Sequence, residues 1–227
     1  MASPLLLELF DKLPDLRADD DEELWAAGVQ DAMREFRAGV RERYTEGTLQ
    51  RMLVSHDART RRAAVLGLGF IGTMDSNAAV AALLQDDDAL VQRFAADALW
   101  ELWFRGGSPE QNARLSDAAK NPDPAATLAE LDELIAEAPD FAEAHNQRAI
   151  QFYKRGDYAR AVADCETVLR LNPFHFGAAA GMGQCLAKLG KRRAALRAFR
   201  SALEINPGLE HLRETIRELE QSLGRGE

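Results

Sequence analysis

Apolar side chains recur at helical spacing along nearly the whole chain, in segments separated by short breaks rich in polar residues, glycine or proline. Residues three and four positions apart lie on one face of a helix, so this pattern predicts amphipathic helices. Strict alternation of apolar and polar residues, and the valine- and isoleucine-rich runs typical of strands, do not occur in the sequence. The pattern therefore predicts an all-α fold.

The C-terminal half repeats itself at an interval of 34 residues. Pro139, Pro173 and Pro207 follow this interval, and so do Gly156 and Gly190. Each unit predicts a helix, a turn at the glycine and a second helix ended by proline, because glycine tolerates positive φ and proline cannot continue a helix. Small residues recur where the two helices would pack closely, at Ala149 and Gly183 and at Ala161 and Ala195.

This pattern resembles the tetratricopeptide repeat (TPR). The residues that carry the resemblance are Ala149, Phe152, Gly156, Ala161 and Pro173 in the first unit and Gly183, Gly190, Ala195, Phe199, Ala202 and Pro207 in the second. Cys165 stands where the family usually has an aromatic residue. Residues 125–138 resemble part of a preceding unit, and residues 209–223 resemble the polar capping helix that repeat arrays need at their ends.

The N-terminal half repeats at an interval of 31 residues. Leu53, Asp57 and Ala64 match Leu84, Asp88 and Ala95, and the unit is similar to the short bacterial HEAT repeat that is also found in phycobilisome lyases. We expect both aspartates to cap helix N-termini, where a carboxylate can accept unpaired N–H groups. Two less regular helices, over residues 3–13 and 21–44, precede these units, and the acidic run 19–23 opens the second helix.

The junction between the two kinds of repeat is predicted at residues 105–109, where two glycines end a helix and Ser-Pro begins another. Residues 1–107 would form a HEAT-like part with irregular N-terminal helices, and residues 108–227 a TPR-like part with a C-terminal capping helix. No break is long enough to act as a flexible tether. We therefore expect one continuous all-α solenoid of helical repeats.

Composition and charge narrow the classes of partner. The 227 residues carry a net charge of −9, and residues 1–107 alone account for −7, whereas residues 140–207 have a net charge of +5. An acidic chain is repelled by phosphates, so we expect no nucleic-acid partner. No apolar stretch approaches the ~20 residues of a membrane span, so we also expect no membrane partner.

The start of the chain and the cysteine content predict a compartment. Residues 1–11 contain two acidic side chains and no basic region, so a secretory signal is not expected. With only Cys165 and Cys185, which we expect to be buried as small apolar residues, the sequence predicts a cytoplasmic protein of bacterial type.

The motifs that could carry chemistry are better explained by the repeats. Gly67, Gly69 and Gly72 match the G-x-G-x-x-G pattern, but a dinucleotide site needs a strand before the glycines, and the repeat places them in a helix. We therefore predict no cofactor. The four histidines lack metal-ligand spacing, so no metal is predicted, and His175 with Phe176 should cap a helix and supply an aromatic wedge. No catalytic residue is predicted, and the chain is not expected to be an enzyme.

The TPR resemblance implies that the first helix of each unit lines a concave groove. Its predicted side chains are Glu143, Asn146, Ile150, Tyr153, Lys154, Gln184 and Lys188. Asn146 coincides with the asparagine that holds a peptide carboxylate in chaperone-binding TPR proteins, but Ala180 replaces the expected basic partner, so a full carboxylate clamp is not expected. We predict a monomeric, non-catalytic adaptor or scaffold that binds a protein or peptide segment of acidic character.

Three alternatives stay open at this point. The HEAT subtype and Trp100, Trp103 and Phe104 would suit a lyase-like or chromophore-handling protein. The chain could also be a structural subunit of a larger assembly, or have a polar groove with no dedicated ligand. The sequence does not decide whether the HEAT face or the TPR face is the main binding surface.

Overall fold

The computed structural model describes residues 4–14 and 22–224, and within these ranges the chain is helical without any strand. This confirms the predicted all-α fold of helical repeats. The chain divides into two compact units, residues 1–102 and 103–227. The division falls inside one helix, close to the predicted junction, and the assignment of domains to residues 1–107 and 108–227 stays a prediction. Most of the acidic run 19–23 lies outside the described residues.

The first unit contains HEAT-like helix pairs joined by short turns. Its helices are α1 (Pro4–Phe10), α2 (Glu22–Arg43), α3 (Glu46–Met52), α4 (Ala58–Ile71), α5 (Asn77–Ala82) and α6 (Ala89–Phe104), with single 3₁₀ turns at Met74–Ser76 and Leu83–Gln85. The last two residues of α6 belong to the second unit.

The two aspartates of the 31-residue repeat cap helices as predicted. Asp57 accepts the backbone N–H of Thr60 at 3.0 Å, and Asp88 accepts that of Val91 at 3.0 Å. Asp88 is also bound by the guanidinium of Arg62, whose Nε lies 2.8 Å from Oδ1. Each carboxylate therefore satisfies backbone donors at a helix start, and Asp88 additionally ties α6 to α4.

Because Asp88 is paired with Arg62, its contribution to stability depends on pH. The hydrogen bond from Arg62, opposed by burial and supported by backbone N–H groups, lowers the pKa of Asp88 from 3.8 to about 2. A lowered pKa means that the carboxylate stabilises the fold above its ordinary pKa and that this contribution is lost as the pH falls from about 4 to about 2. The Tm deficit of an Asp88→Asn variant should therefore shrink across this interval. A deficit that stays constant would contradict the assignment.

The glycine motif lies in a helix. Gly67 and Gly69 are in α4 and Gly72 follows its last residue, so within the described residues no strand precedes them. The motif lacks the strand-turn-helix geometry that brings a pyrophosphate to backbone N–H groups. The glycines pack instead: a Cβ on Gly67 would lie 3.0 Å from Leu49 Cδ1, and one on Gly69 would lie 3.4 Å from Ala98 Cβ.

Alanine at these two positions should have different effects. Gly69→Ala is expected to stabilise the protein by up to about 1 kcal/mol, because alanine is the better helix former and the added methyl group makes an almost ordinary contact. Gly67→Ala should gain less or lose stability, since the Leu49 side chain must move. Gly67 is the more crowded of the two positions. Urea unfolding measures the difference in stability between the two variants. Equal effects would show that Leu49 does not crowd position 67.

The second unit begins with a helix pair and continues as two TPR-like units and a final helix. Its helices are α7 (Pro109–Lys120), α8 (Pro124–Glu137), α9 (Ala142–Lys154), α10 (Tyr158–Leu171), α11 (Phe176–Lys188), α12 (Arg192–Ile205) and α13 (His211–Gly224). The pairs α9–α10 and α11–α12 are the two predicted units. Gly156 and Gly190 have φ of 79° and 73° at the turns inside them, which is the conformation that the sequence predicts there.

A small apolar core joins α9, α10 and α11. Ala149, Phe152, Ala161, Cys165 and Cys185 are buried together. Burial raises the pKa of the Cys165 thiol to about 12 and also raises that of Cys185. Both side chains therefore remain neutral thiols near pH 7 and pack as small apolar residues, as predicted.

Candidate interaction surface

A network of charged hydrogen bonds connects α9, which carries part of the predicted groove, to the helices before and after it. In α9, Arg148 binds Asp164 of α10 through Nε–Oδ2 and Nη2–Oδ1 distances of 2.8 and 2.7 Å, and it binds Asp132 of α8 at 2.8 Å. Burial would raise the pKa of Asp164, but the hydrogen bonds from Arg148, together with the nearby His145, whose Nδ1 lies 3.7 Å from Oδ1, outweigh it and lower that pKa. The Asp164 carboxylate thus stays ionised, and Arg148 joins three consecutive helices, α8, α9 and α10.

The seven residues predicted to line the groove fall into two groups. Glu143 and Asn146, near the start of α9, have only 0% and 4% of their surface exposed. The other five lie further along α9 and α11 and reach solvent. We call them the exposed strip: Ile150, Tyr153, Lys154, Gln184 and Lys188.

Glu143 is the centre of a buried hydrogen-bond cluster. Its Oε1 accepts hydrogen bonds from Asn146 Nδ2 at 3.0 Å and Gln147 Nε2 at 2.6 Å, and its Oε2 lies 2.8 Å from Nε2 of His175. The Nδ1 atom of His175 accepts the backbone N–H of Ala178 at 3.0 Å, so it carries no proton. The neutral ring therefore has its proton on Nε2 and donates it to Glu143. Through the hydrogen bond that its Nδ1 accepts from Ala178, His175 caps the N-terminus of α11, as predicted.

Trp103 stacks on the histidine of this cluster. The ring centroids of Trp103 and His175 are 3.9 Å apart with an interplanar angle of 20°, and Phe176 lies against Trp103 at 5.1 Å. Trp103 is only 2% exposed. We call Trp103, Glu143, Asn146 and His175 the closed seat. Glu143 and Asn146 therefore make their hydrogen bonds within the fold, and neither side chain is exposed to a partner.

Sequence reasoning placed Glu143 and Asn146 on an open face because they are polar and occupy groove positions of the repeat. Glu143 is hydrogen-bonded to His175, which in turn stacks on Trp103, a residue that precedes the TPR units. Trp103 is one of the aromatic residues that would suit a chromophore-handling protein, but its side chain is buried in the core. Phe104 is partly buried against the core of α7 and α8.

Three of the five side chains of the exposed strip form no polar contact within the described residues. Lys154, Gln184 and Lys188 make no side-chain hydrogen bond or ion pair with the described part of the chain. Ile150 is 37% exposed, although it is apolar. Tyr153 is half-buried and packs edge-on against Tyr158, with ring centroids 5.5 Å apart. Gln184 and Lys188 are the equivalents of Ile150 and Lys154 one repeat later, so the strip follows the repeat.

The described residues contain neither a cluster of metal ligands nor a helix that could span a membrane. Within residues 4–14 and 22–224, no three His, Cys, Asp or Glu side chains stand together as a metal site would need. None of the helices described combines the length and the apolar character needed to cross a bilayer.

Family models match both halves of the chain. A model of HEAT repeats matches residues 13–100 and again residues 45–135, which together cover more than half of the sequence. The chain belongs to the HEAT-repeat proteins. Two models of the tetratricopeptide repeat match residues 142–175 and 178–209, so two TPR units follow the HEAT repeats as the sequence predicted. Both repeats form extended surfaces that are typical of protein–protein interaction.

Curated relatives match only part of the chain. A TPR repeat-containing protein of the bacterium Rhizobium etli is 36% identical over 127 residues, which are 53% of this chain and 61% of that protein. The bovine protein SGT1 homolog is 36% identical over 91 residues, which are 40% of this chain and 27% of that protein. The matches thus span less than two thirds of these relatives' length.

Two solved structures are similar to this chain at low sequence identity. The first TPR of Spaghetti (RPAP3), bound to the HSP90 peptide SRMEEVD, is 18% identical with a TM-score of 0.49 and covers 52% of this chain and 96% of its own. A MamA mutant is 19% identical with a TM-score of 0.45 and covers 74% of this chain and 91% of its own.

Proposed function

We propose that this protein is a non-catalytic adaptor that holds a segment of a partner protein on the exposed strip. The observation that carries the proposal is the contrast within the predicted groove. Glu143 and Asn146 are buried and hydrogen-bonded within the fold. The strip, in contrast, presents both polar and apolar side chains to solvent. Two buried free thiols suit a reducing compartment, and we place this role in the cytoplasm, with the chain monomeric on its own.

The strip offers chemistry suited to a peptide. Ile150 supplies an apolar contact, and Tyr153 combines an apolar ring with a hydroxyl group that can donate or accept a hydrogen bond. The ammonium groups of Lys154 and Lys188 can bind carbonyl or carboxylate oxygens. Because the amide of Asn146 already donates to Glu143, a carboxylate clamp built on Asn146 is not part of the proposal.

Site-specific photocrosslinking in cells of the native host tests the location of the partner. A benzoylphenylalanine at Gln184 should yield a defined crosslinked adduct, because this side chain is exposed on the strip. The matched control carries benzoylphenylalanine in place of Ala163, which is exposed on α10, outside the strip. Adducts of the same size from both positions, or none from position 184, would contradict the proposal.

A charge-reversal variant provides the second test. Ile150→Ser/Lys154→Glu/Lys188→Glu changes only exposed side chains and leaves Tyr153, which packs on Tyr158, in place. The variant should keep the wild-type Tm and lose the crosslink at position 184. If it recovers the same partners as the wild type, the strip is not the binding site and the HEAT face becomes the leading candidate.

A further inference from the structure

Positive charge is concentrated at the turn between α11 and α12. Five of the ten residues between Lys188 and Arg197 are basic and none is acidic. We call the exposed residues Lys191, Arg192, Arg193 and Arg197 the basic patch. Lys191, Arg192 and Arg197 make no side-chain hydrogen bond or ion pair with the described residues. Apart from Lys188, which belongs to the exposed strip, these cations lie outside the predicted groove.

The basic patch borders an open cleft of about 540 Å³. The other residues that line this cleft are Gly190 and Ala194 next to the patch, and Ser222 and Leu223 at the end of α13. Ala194 and Leu223 supply apolar surface beside the cations. The cleft is therefore suited to a short segment that combines negative charge with an apolar side chain.

Lys191 weakens the helix that it starts. In the preceding repeat the equivalent position is Asp157, which caps α10 by accepting the backbone N–H of Arg160 at 3.3 Å. Lys191 is the N-cap residue of α12 and provides no side-chain cap. A lysine has no acceptor for the free N–H groups, and positive charge is unfavourable at a helix N-terminus. Lysine instead of aspartate at position 191 thus lowers the stability of α12, and its side chain makes no compensating hydrogen bond or ion pair with the described residues.

We propose that the basic patch binds an acidic segment of a partner protein, at a surface separate from the exposed strip. Charge complementarity identifies the occupant, because the patch lies on a protein whose overall charge of −9 would otherwise repel such a segment. A protein segment fits better than a nucleic acid, since none of the residues that line the cleft is aromatic and could stack on a base.

The substitution Lys191→Asp is expected to raise stability while it weakens binding, so its effect on binding cannot result from unfolding. The change restores the cap of the preceding repeat, so the Tm should rise by about 2–4 °C. The same variant should bind a fluorescein-labelled peptide of glutamate and leucine roughly tenfold more weakly than the wild type in fluorescence anisotropy at low salt, because one contact charge is reversed. Arg170→Asp is the matched control: it reverses one exposed charge on α10 and should leave the affinity within about twofold of the wild type.

Weaker binding by Lys191→Asp together with unchanged binding by Arg170→Asp supports the proposal. Equal loss in both variants, or no binding of the peptide to the wild type, overturns it. Loss only in the Ile150→Ser/Lys154→Glu/Lys188→Glu variant assigns the acidic peptide to the exposed strip, which overturns this inference and leaves the adaptor proposal standing. Tighter binding of single-stranded DNA, or self-association that Lys191→Asp abolishes in sedimentation, identifies a different occupant and also overturns it.

Discussion

Replacing Trp103 with alanine is expected to lower the free energy of unfolding by about 3–5 kcal/mol, the usual cost of deleting a large buried aromatic side chain. Trp103 is 2% exposed and contacts both His175 and Phe176. Its removal leaves a cavity and also brings water to the hydrogen bond between His175 and Glu143. Urea unfolding followed by circular dichroism measures the loss.

Trp103→Phe is the control for this prediction, because phenylalanine keeps a ring that can stack on His175 and should recover a large part of the lost stability. An alanine variant that unfolds at the wild-type urea concentration would show that Trp103 does not pack in the seat.

The helices of the TPR units were predictable because local chemistry determines where they end. Gly156 and Gly190 adopt the positive φ that ends the first helix of each unit, and Pro173 and Pro207 follow the second. These signals lie within a few residues of the boundary that they define. For the same reason, the caps at Asp57 and Asp88 could be predicted from the repeat alone.

The closed seat was not predictable because its contacts join distant parts of the chain. Glu143 occupies a groove position and is polar, so the repeat pattern assigns it to an exposed face. It is hydrogen-bonded to His175, 32 residues later, and His175 stacks on Trp103, which lies before the TPR units. Helical periodicity shows which side of a helix a residue occupies, but it does not show what covers that side.

Crowding around glycines is a second property that the pattern leaves undetermined. The repeat predicts that Gly67 and Gly183 lie in helices, and both do. Whether a methyl group fits depends on the side chain opposite, which is Leu49 at the first position and Phe199 at the second. The end of a leucine side chain can shift, whereas a buried ring is held by its neighbours.

Gly183→Ala should therefore be destabilising by about 1–3 kcal/mol, which is the cost of overpacking a core. A Cβ on Gly183 would lie 2.6 Å from Cδ1 and Cε1 of Phe199, a ring that is 2% exposed. This cost should exceed the gain of about 1 kcal/mol that alanine normally brings to a helix. Gly181→Ala in the same helix is the matched control, since its nearest atom would be Cys165 Sγ at 3.9 Å. That variant should be as stable as the wild type or more stable.

The first TPR unit shows how the same contact tolerates a methyl group. Ala149 and Cys165, the equivalents of Gly183 and Phe199, are buried in one cluster. A larger residue on one helix is thus accompanied by a smaller one on the other. In a Phe199→Cys background, which is itself destabilised, Gly183→Ala should become neutral or stabilising, because the ring that excludes the methyl group is gone. If Gly183→Ala lowers the free energy of unfolding equally in both backgrounds, the ring of Phe199 is not what requires glycine at position 183.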